Sequence, residues 1–123
     1  MITLKMSVLN NKKFTEGIAA LISKTEFITV QGGYNASRIA RQVDAHIGLA
    51  KADLIALKQK HTTKVDDKET LNVEAFNVDV QALMDKEVIL ESFLVNAGDI
   101  KSINISAENI FAIEPILNLS TFQ

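Results

Sequence analysis

The chain has 123 residues, of which 47% are apolar and 23% charged, and a formal net charge of −2 at pH 7. This is one domain's length, with enough apolar surface to exclude a chain disordered throughout, and residues 1–123 are expected to form a single domain. The absence of cysteine excludes disulfides, thiolate metal sites and cysteine nucleophiles. The charge balance argues against a broad surface for duplex nucleic acid. No apolar run approaches the roughly 18–20 residues of a membrane span, and MITLKMSVLN lacks the features of a secretory signal. A small soluble, non-secreted domain is therefore expected.

Residues 2–8 alternate, with Ile2, Leu4, Met6 and Val8 on one side and Thr3, Lys5 and Ser7 on the other, the pattern of a half-buried strand. Asn10 and Asn11 break it and can cap a helix. Phe14, Ile18, Leu21 and Ile22 share a helical face, predicting an amphipathic helix over 12–23. Phe27, Ile28 and Val30 read as a short extended run that Gly32-Gly33 ends.

Ala36, Ala40, Val43, Ile47, Ala50, Leu54, Leu57 and His61 are spaced 4, 3, 4, 3, 4, 3, 4, a heptad seam that predicts a long helix over about 35–60. Asn35 is its expected N-cap. Ile39, His46, Leu49 and Ile55 widen the stripe, so the helix is expected to contact more than one neighbour. Gly48 marks close packing or a bend. Residues 62–72 are polar and read as a loop, and Asn72 caps a second helix over 73–85 with Val73, Phe76, Val80, Leu83 and Met84 on one face. The two helices would form a hairpin. Residues 88–95 read as a strand apolar on both sides and so covered on both faces. Ala97-Gly98-Asp99 turns the chain, Ser106 caps a short helix over 107–113, Pro115 ends it, and the tail NLSTFQ reads as loose. The expected class is α+β: a small β-sheet containing strands 2–8 and 88–95, packed beside a long helical hairpin, with a short C-terminal helix.

The segment from Gln31 to Arg41 concentrates unusual residues: adjacent Gly32 and Gly33, the only tyrosine (Tyr34), and both arginines of the chain, Arg38 and Arg41. At the start of the long helix, free N–H groups and partial positive charge would suit an anion. Glycines would let a phosphate approach the backbone, Ser37 would donate, Arg38 and Arg41 would fork onto phosphate oxygens, and Tyr34 would stack on a base. Gly32, Gly33, Tyr34, Ser37, Arg38 and Arg41 are therefore the candidate ligand-binding residues. The competing structural reading is an ordinary Gly-Gly turn, an ordinary Asn35 cap, and an Arg41–Asp44 pair one turn apart. The segment is neither a P-loop nor a dinucleotide fingerprint.

His46 and His61 lie fifteen residues apart on one helix, about 22 Å, so one chain cannot bring them to one metal. Asp66, Asp67 and Glu69 are interleaved with Lys64 and Lys68 and lack the central glycine of a calcium loop. No metal, cofactor or catalytic residue is assigned, and the chain is not expected to be an enzyme. The long helix outruns its predicted partner. Its unmatched half would expose Ala36, Ile39, Ala40 and Val43 unless the sheet, the 12–23 helix or a second subunit covered them, which favours a homo-oligomer through this helix.

Near the C-terminus, a helix running into D85-K-E-V-I-L, followed by I105-S-A-E-N-I-F-A-I-E-P-I-L117, resembles the corresponding elements of a group of short phage and prophage accessory proteins. The long-helix start N35-A-S-R-I-A is also similar. These are apolar and capping positions, so the resemblance implies a shared fold and carries over no functional residue. It implies a phage origin and action in the cytoplasm of an infected bacterium. The expected function is that of a non-catalytic anti-defence protein, an oligomer that sequesters a phosphate-bearing host signal such as a cyclic nucleotide. The alternatives are a virion or tail-assembly component and a direct inhibitor of a host defence protein.

Overall fold

The computed structural model describes residues 1–119. The chain enters as β1 (Ile2–Lys5) and turns at once into a single helical turn, α1 (Met6–Leu9). The strand expected through Val8 stops here for a packing reason. Met6 and Leu9 are three apart and would point to opposite faces of a strand, whereas one helical turn brings both inward. Met6 is 4% exposed and Leu9 fully buried. Asn11 then caps α2 (Lys12–Ser23), its side chain accepting from the Lys13 N–H, and Phe14, Gly17, Ile18 and Leu21 face inward.

After β2 (Thr25–Phe27) comes α3 (Val30–Lys60), whose 31 residues span about 46 Å. Its cap is Thr29, whose Oγ1 accepts from the Gly32 N–H at 3.0 Å. The expectation of an extended run ended by the glycines, with Asn35 as cap, is therefore corrected. Gly32 and Gly33 lie in the first turn of the helix and Asn35 lies inside it. Gly32 serves packing: a Cβ there would sit 3.0 Å from Asp99 Cβ and 3.1 Å from Phe27 Cδ1, whereas a Cβ on Gly33 would meet only Phe27 at 3.6 Å, an ordinary contact. A side chain at Gly32 would require these neighbours to give by a few tenths of an ångström.

Residues 62–71, expected to be a loop, form a hairpin of β3 (Thr62–Val65) and β4 (Lys68–Leu71). Asp66 and Asp67 make its two-residue turn with φ of 51° and 66°, the doubly left-handed geometry that matches strand twist. Nearly every hairpin side chain is exposed, so no apolar alternation marked it. Asn72 caps α4 (Val73–Asp85) through the Ala75 N–H. β5 (Glu87–Leu90) follows. It is shorter than the expected 88–95 strand and covered on one face only, with Val88 and Leu90 buried and Ile89 53% exposed.

The chain continues through β6 (Val95–Asn96), a 3-10 turn at Ala97–Asp99, and β7 (Ile100–Ile103). Ser106 caps α5 (Ala107–Ile113), and a second 3-10 turn containing Pro115 leads into β8 (Leu117–Asn118). The expected loose tail thus begins inside a paired strand; its residues 120–123 lie outside the described residues.

β1 pairs antiparallel with β5 (Ile2 opposite Leu90, Leu4 opposite Val88), so shorter forms of the two strands expected in one small sheet do pair. Among the described residues, however, the strands form four separate two-stranded ladders: β1–β5, β2–β7, β3–β4 and the parallel β6–β8. The α+β class holds in this broader form, and α3 and α4 pack against each other. The heptad seam is the inward face of α3: Ala36, Val43 and Ala50 are buried and Ala40, Ile47, Leu54, Leu57 and His61 half-buried. α1, α2, β5 and β6 of the same chain cover its N-terminal half, so Ala36, Ile39 and Val43 are not the exposed surface that oligomerisation was expected to bury. The exposed residues of the widened stripe are Leu49 (65%) and Ile55 (62%). From Lys51 to Glu87, two helical segments and a hairpin, no residue is buried.

Candidate functional site

The first half of α3 distributes the six candidate residues over two environments. Gly32 is buried and Gly33 half-buried, both against Phe27, so neither offers open backbone to a phosphate. Tyr34, Arg38 and Arg41 are exposed and stand at i, i+4 and i+7, with the half-buried Ser37 between them. On a helix these positions form one continuous stripe. The structure therefore brings together Tyr34, Ser37, Arg38 and Arg41 and sets the glycines apart from them. The first N–H groups of α3 lie at residues 30–32, ahead of the stripe, and that of Gly32 is taken by Thr29 Oγ1, so the charge available to an anion is that of the arginines rather than of the helix end.

Neither arginine makes an ion pair with any described residue; in particular the Arg41–Asp44 pair suggested by spacing does not form. Both guanidinium groups keep their full donor sets for an external acceptor. This is the one point at which the geometry separates the ligand-binding reading of the segment from the structural one.

A second group of polar side chains lies beside this stripe, and sequence spacing did not reveal it. Gln31 and Asn35 of α3, Asn96 of β6 and Asn118 of β8 line a cavity of about 470 Å³ together with Met1, Phe93 and Leu94. Gln31 Nε2 donates to Asn35 Oδ1 at 2.9 Å, and Asn118 Nδ2 donates to Asn96 Oδ1 at 3.1 Å. Asn35, only 8% exposed, is one of the few buried polar residues. Gln31 and Asn35 are an i, i+4 pair, but Asn96 and Asn118 are far away in sequence and only the β6–β8 ladder brings them in. Phe93 stands at the rim, 73% exposed. Its segment is tied to α3 by Gln42, whose Nε2 donates to the Glu91 carbonyl at 3.1 Å.

His61 closes α3 as its C-cap, and its Nε2 donates to Asp79 Oδ2 at 2.6 Å, with Lys60 Nζ 3.6 Å from the same oxygen. The hydrogen bond from His61, and then the Lys60 charge, hold the Asp79 carboxyl below its ordinary value. This clasp joins the end of α3 to α4. His46 is half-buried in a separate depression lined by Leu49, Asp53 and Leu83. Among the described residues no cluster of three or more His, Asp or Glu is placed to hold a metal ion, and no helix is long and apolar enough to cross a membrane.

The chain matches no protein-family model, no curated protein and no solved structure.

Proposed function

We propose that this chain is a small phage-encoded binding protein that sequesters a phosphate-bearing, nucleotide-type signal of its bacterial host, without catalysis and as a homo-oligomer in the host cytoplasm. The observation that carries this reading is the stripe of Tyr34, Ser37, Arg38 and Arg41, with both arginines exposed and unpaired among the described residues. Paired guanidinium forks match phosphate oxygens, and a neighbouring tyrosine supplies a stacking face and a hydroxyl donor. Sequestration requires only stoichiometric affinity, and the stripe contains no general acid or base. Phage origin rests on the resemblance of the C-terminal elements, and the anti-defence role is our reading of what a non-catalytic nucleotide-binding phage protein would do.

Calorimetric titration with AMP and with cyclic di-AMP tests the site. We expect saturable binding to the wild-type chain and at least a tenfold loss in the Arg38→Ala/Arg41→Ala double variant, whose substitutions lie on the surface and leave the circular dichroism unchanged. Equal affinity in the double variant would remove the assignment.

A second reading is favoured by the unburied stretch from Lys51 to Glu87. A virion or tail-assembly component, or an inhibitor that docks on a host protein, would use such an arm as its contact. Recovery of the chain in purified particles, or of a stoichiometric host protein with it, would support that reading over sequestration.

A further inference from the structure

The outward face of α3 carries a second seam, out of phase with the one that packs inward. Arg41, Ala45, Gly48, Ala52, Ile55 and Gln59 follow one another at spacings of 4, 3, 4, 3 and 4, with Leu49 and Ala56 beside them. All of these residues are exposed, Leu49 by 65% and Ile55 by 62%. The solvent face of a helix is ordinarily its charged face. Here the charges are sorted differently. From Asp44 to Lys60 the charged residues are Asp44, Lys51, Asp53, Lys58 and Lys60, and all five fall on the two lines that separate the inward seam from the outward one. The helix therefore has two uncharged faces, one filled by its own chain and one open to solvent. A seam of this spacing, bounded by charged edges, is the surface that takes another helix.

The charges identify which helix. Asp53 and Lys60 lie on the edge beside α4, where Lys60 Nζ stands 3.6 Å from Asp79 Oδ2. Asp44, Lys51 and Lys58 lie on the other edge at steps of seven residues, about 10 Å each, too far apart to pair with one another. None of the three makes an ion pair among the described residues. A second copy laid antiparallel would set Asp44 of each chain against the partner subunit's Lys58, giving two pairs related by a two-fold axis. Lys51 would lie at that axis, where its long side chain can turn into solvent. The same register sets Ala45 against the partner's Ile55 and Gly48 against the partner's Ala52, so that the smaller side chain meets the larger in each layer. A parallel copy would instead set Ile55 against Ile55 and Gly48 against Gly48, and would leave all three charges without an opposite partner.

We propose that the outward seam of α3, from Arg41 to Gln59, is the contact with a second copy of this chain, packed antiparallel and set in register by Asp44 and Lys58. The inference gives the homo-oligomer of the proposed function its geometry and rests on that reading for self-association alone. Tyr34 and Arg38 lie past the last shared turn, so the dimer carries two arginine stripes, one at each end.

The chain contains no cysteine, so Ala45→Cys and Ile55→Cys each introduce a single thiol at an exposed position. Full-length chains of the two variants, one of them ¹⁵N-labelled, are mixed in equal amounts, oxidised and read by intact mass. Positions 45 and 55 face each other across the antiparallel seam, whereas the two copies of either position are about 15 Å apart, beyond the reach of a disulfide. The mixed disulfide is therefore expected to exceed each symmetric one by about fivefold or more. Light scattering should give the mass of two chains for the wild type. Asp44→Lys should weaken the dimer by about fivefold, and Asp44→Lys/Lys58→Asp should restore it. An excess of symmetric disulfides, or a charge swap that fails to restore the dimer, would overturn the antiparallel seam even if the chain dimerises through another surface. The mass of one chain would overturn both this inference and the oligomer of the proposed function. The nucleotide site is decided separately, by the AMP titration of Arg38→Ala/Arg41→Ala.

Discussion

Single side chains decide where this fold tolerates change. A Cβ on Gly17 would lie 2.5 Å from Ile113 Cγ2 and 2.8 Å from the Asn109 carbonyl oxygen, whereas a Cβ on Gly48 meets nothing within 4 Å. Gly17 therefore lets α2 approach α5 closely, and Gly48 leaves only the cost of a flexible residue in a helix. Gly17→Ala should destabilise by about 1–3 kcal/mol through overpacking, and Gly48→Ala should stabilise by about 1 kcal/mol, both measured by urea unfolding. The expectation that Gly48 marks close packing finds no counterpart within the chain. At Asp79, folding favours the ionised form, because the His61 hydrogen bond and the Lys60 charge lower its pKa from 3.8. Its contribution is therefore fully present above the unfolded value, near pH 4, and is lost as pH falls through the depressed folded value. Asp79→Asn should lower Tm at pH 5, and the gap to the wild type should close as both are taken toward pH 2.

At the scale of elements, the sequence was legible where two signals coincided. α2, α4 and α5 combine a capping residue with an apolar face, and their caps Asn11, Asn72 and Ser106 all accept the expected backbone N–H groups. The start of α3 was misread because two capping residues compete. Asn35 precedes the heptad seam, but Thr29 holds the Gly32 N–H, and Gly32 joins the helix with Phe27 and Asp99 packed closely against it. Tertiary contact here outweighs glycine's poor helix propensity. Thr29→Ala should accordingly cost about 1 kcal/mol of stability. The β3–β4 hairpin was hidden because neither face is buried, so no period of two marked it, and its turn uses Asp66-Asp67 in place of a glycine. Asp67→Gly should relieve the left-handed backbone and strengthen the hairpin by about 1 kcal/mol. The check is hydrogen exchange, with greater protection expected at Thr63 and Thr70 and no change in the global Tm. Of the candidate site, the arginine stripe was legible from local spacing. The carboxamide cavity was not, since it depends on β6 and β8 meeting across more than twenty residues of sequence.

The whole molecule divides unevenly. The core gathers α1, α2, the first half of α3, β5 and the C-terminal elements, while the arm from Lys51 to Glu87 contains no buried residue. Regular structure without a buried face draws little stability from packing within its own chain. Leu49, Ile55, Val73 and Val78 are each more than half exposed along or beside this arm, and they are where we place the oligomer contact. Leu49→Glu/Ile55→Glu should reduce the mass seen by light scattering to that of one chain without altering the circular dichroism. A wild-type chain that is already monomeric would remove the oligomer from the account.

The central claim is stoichiometric capture of a nucleotide without turnover. It is tested most directly by native mass spectrometry of the wild-type chain and of Arg38→Ala/Arg41→Ala, each mixed with AMP. The account predicts an adduct of intact AMP, one per chain, on the wild type and none on the variant. A wild-type spectrum without the adduct, an adduct retained by the variant, or AMP converted to product would contradict it.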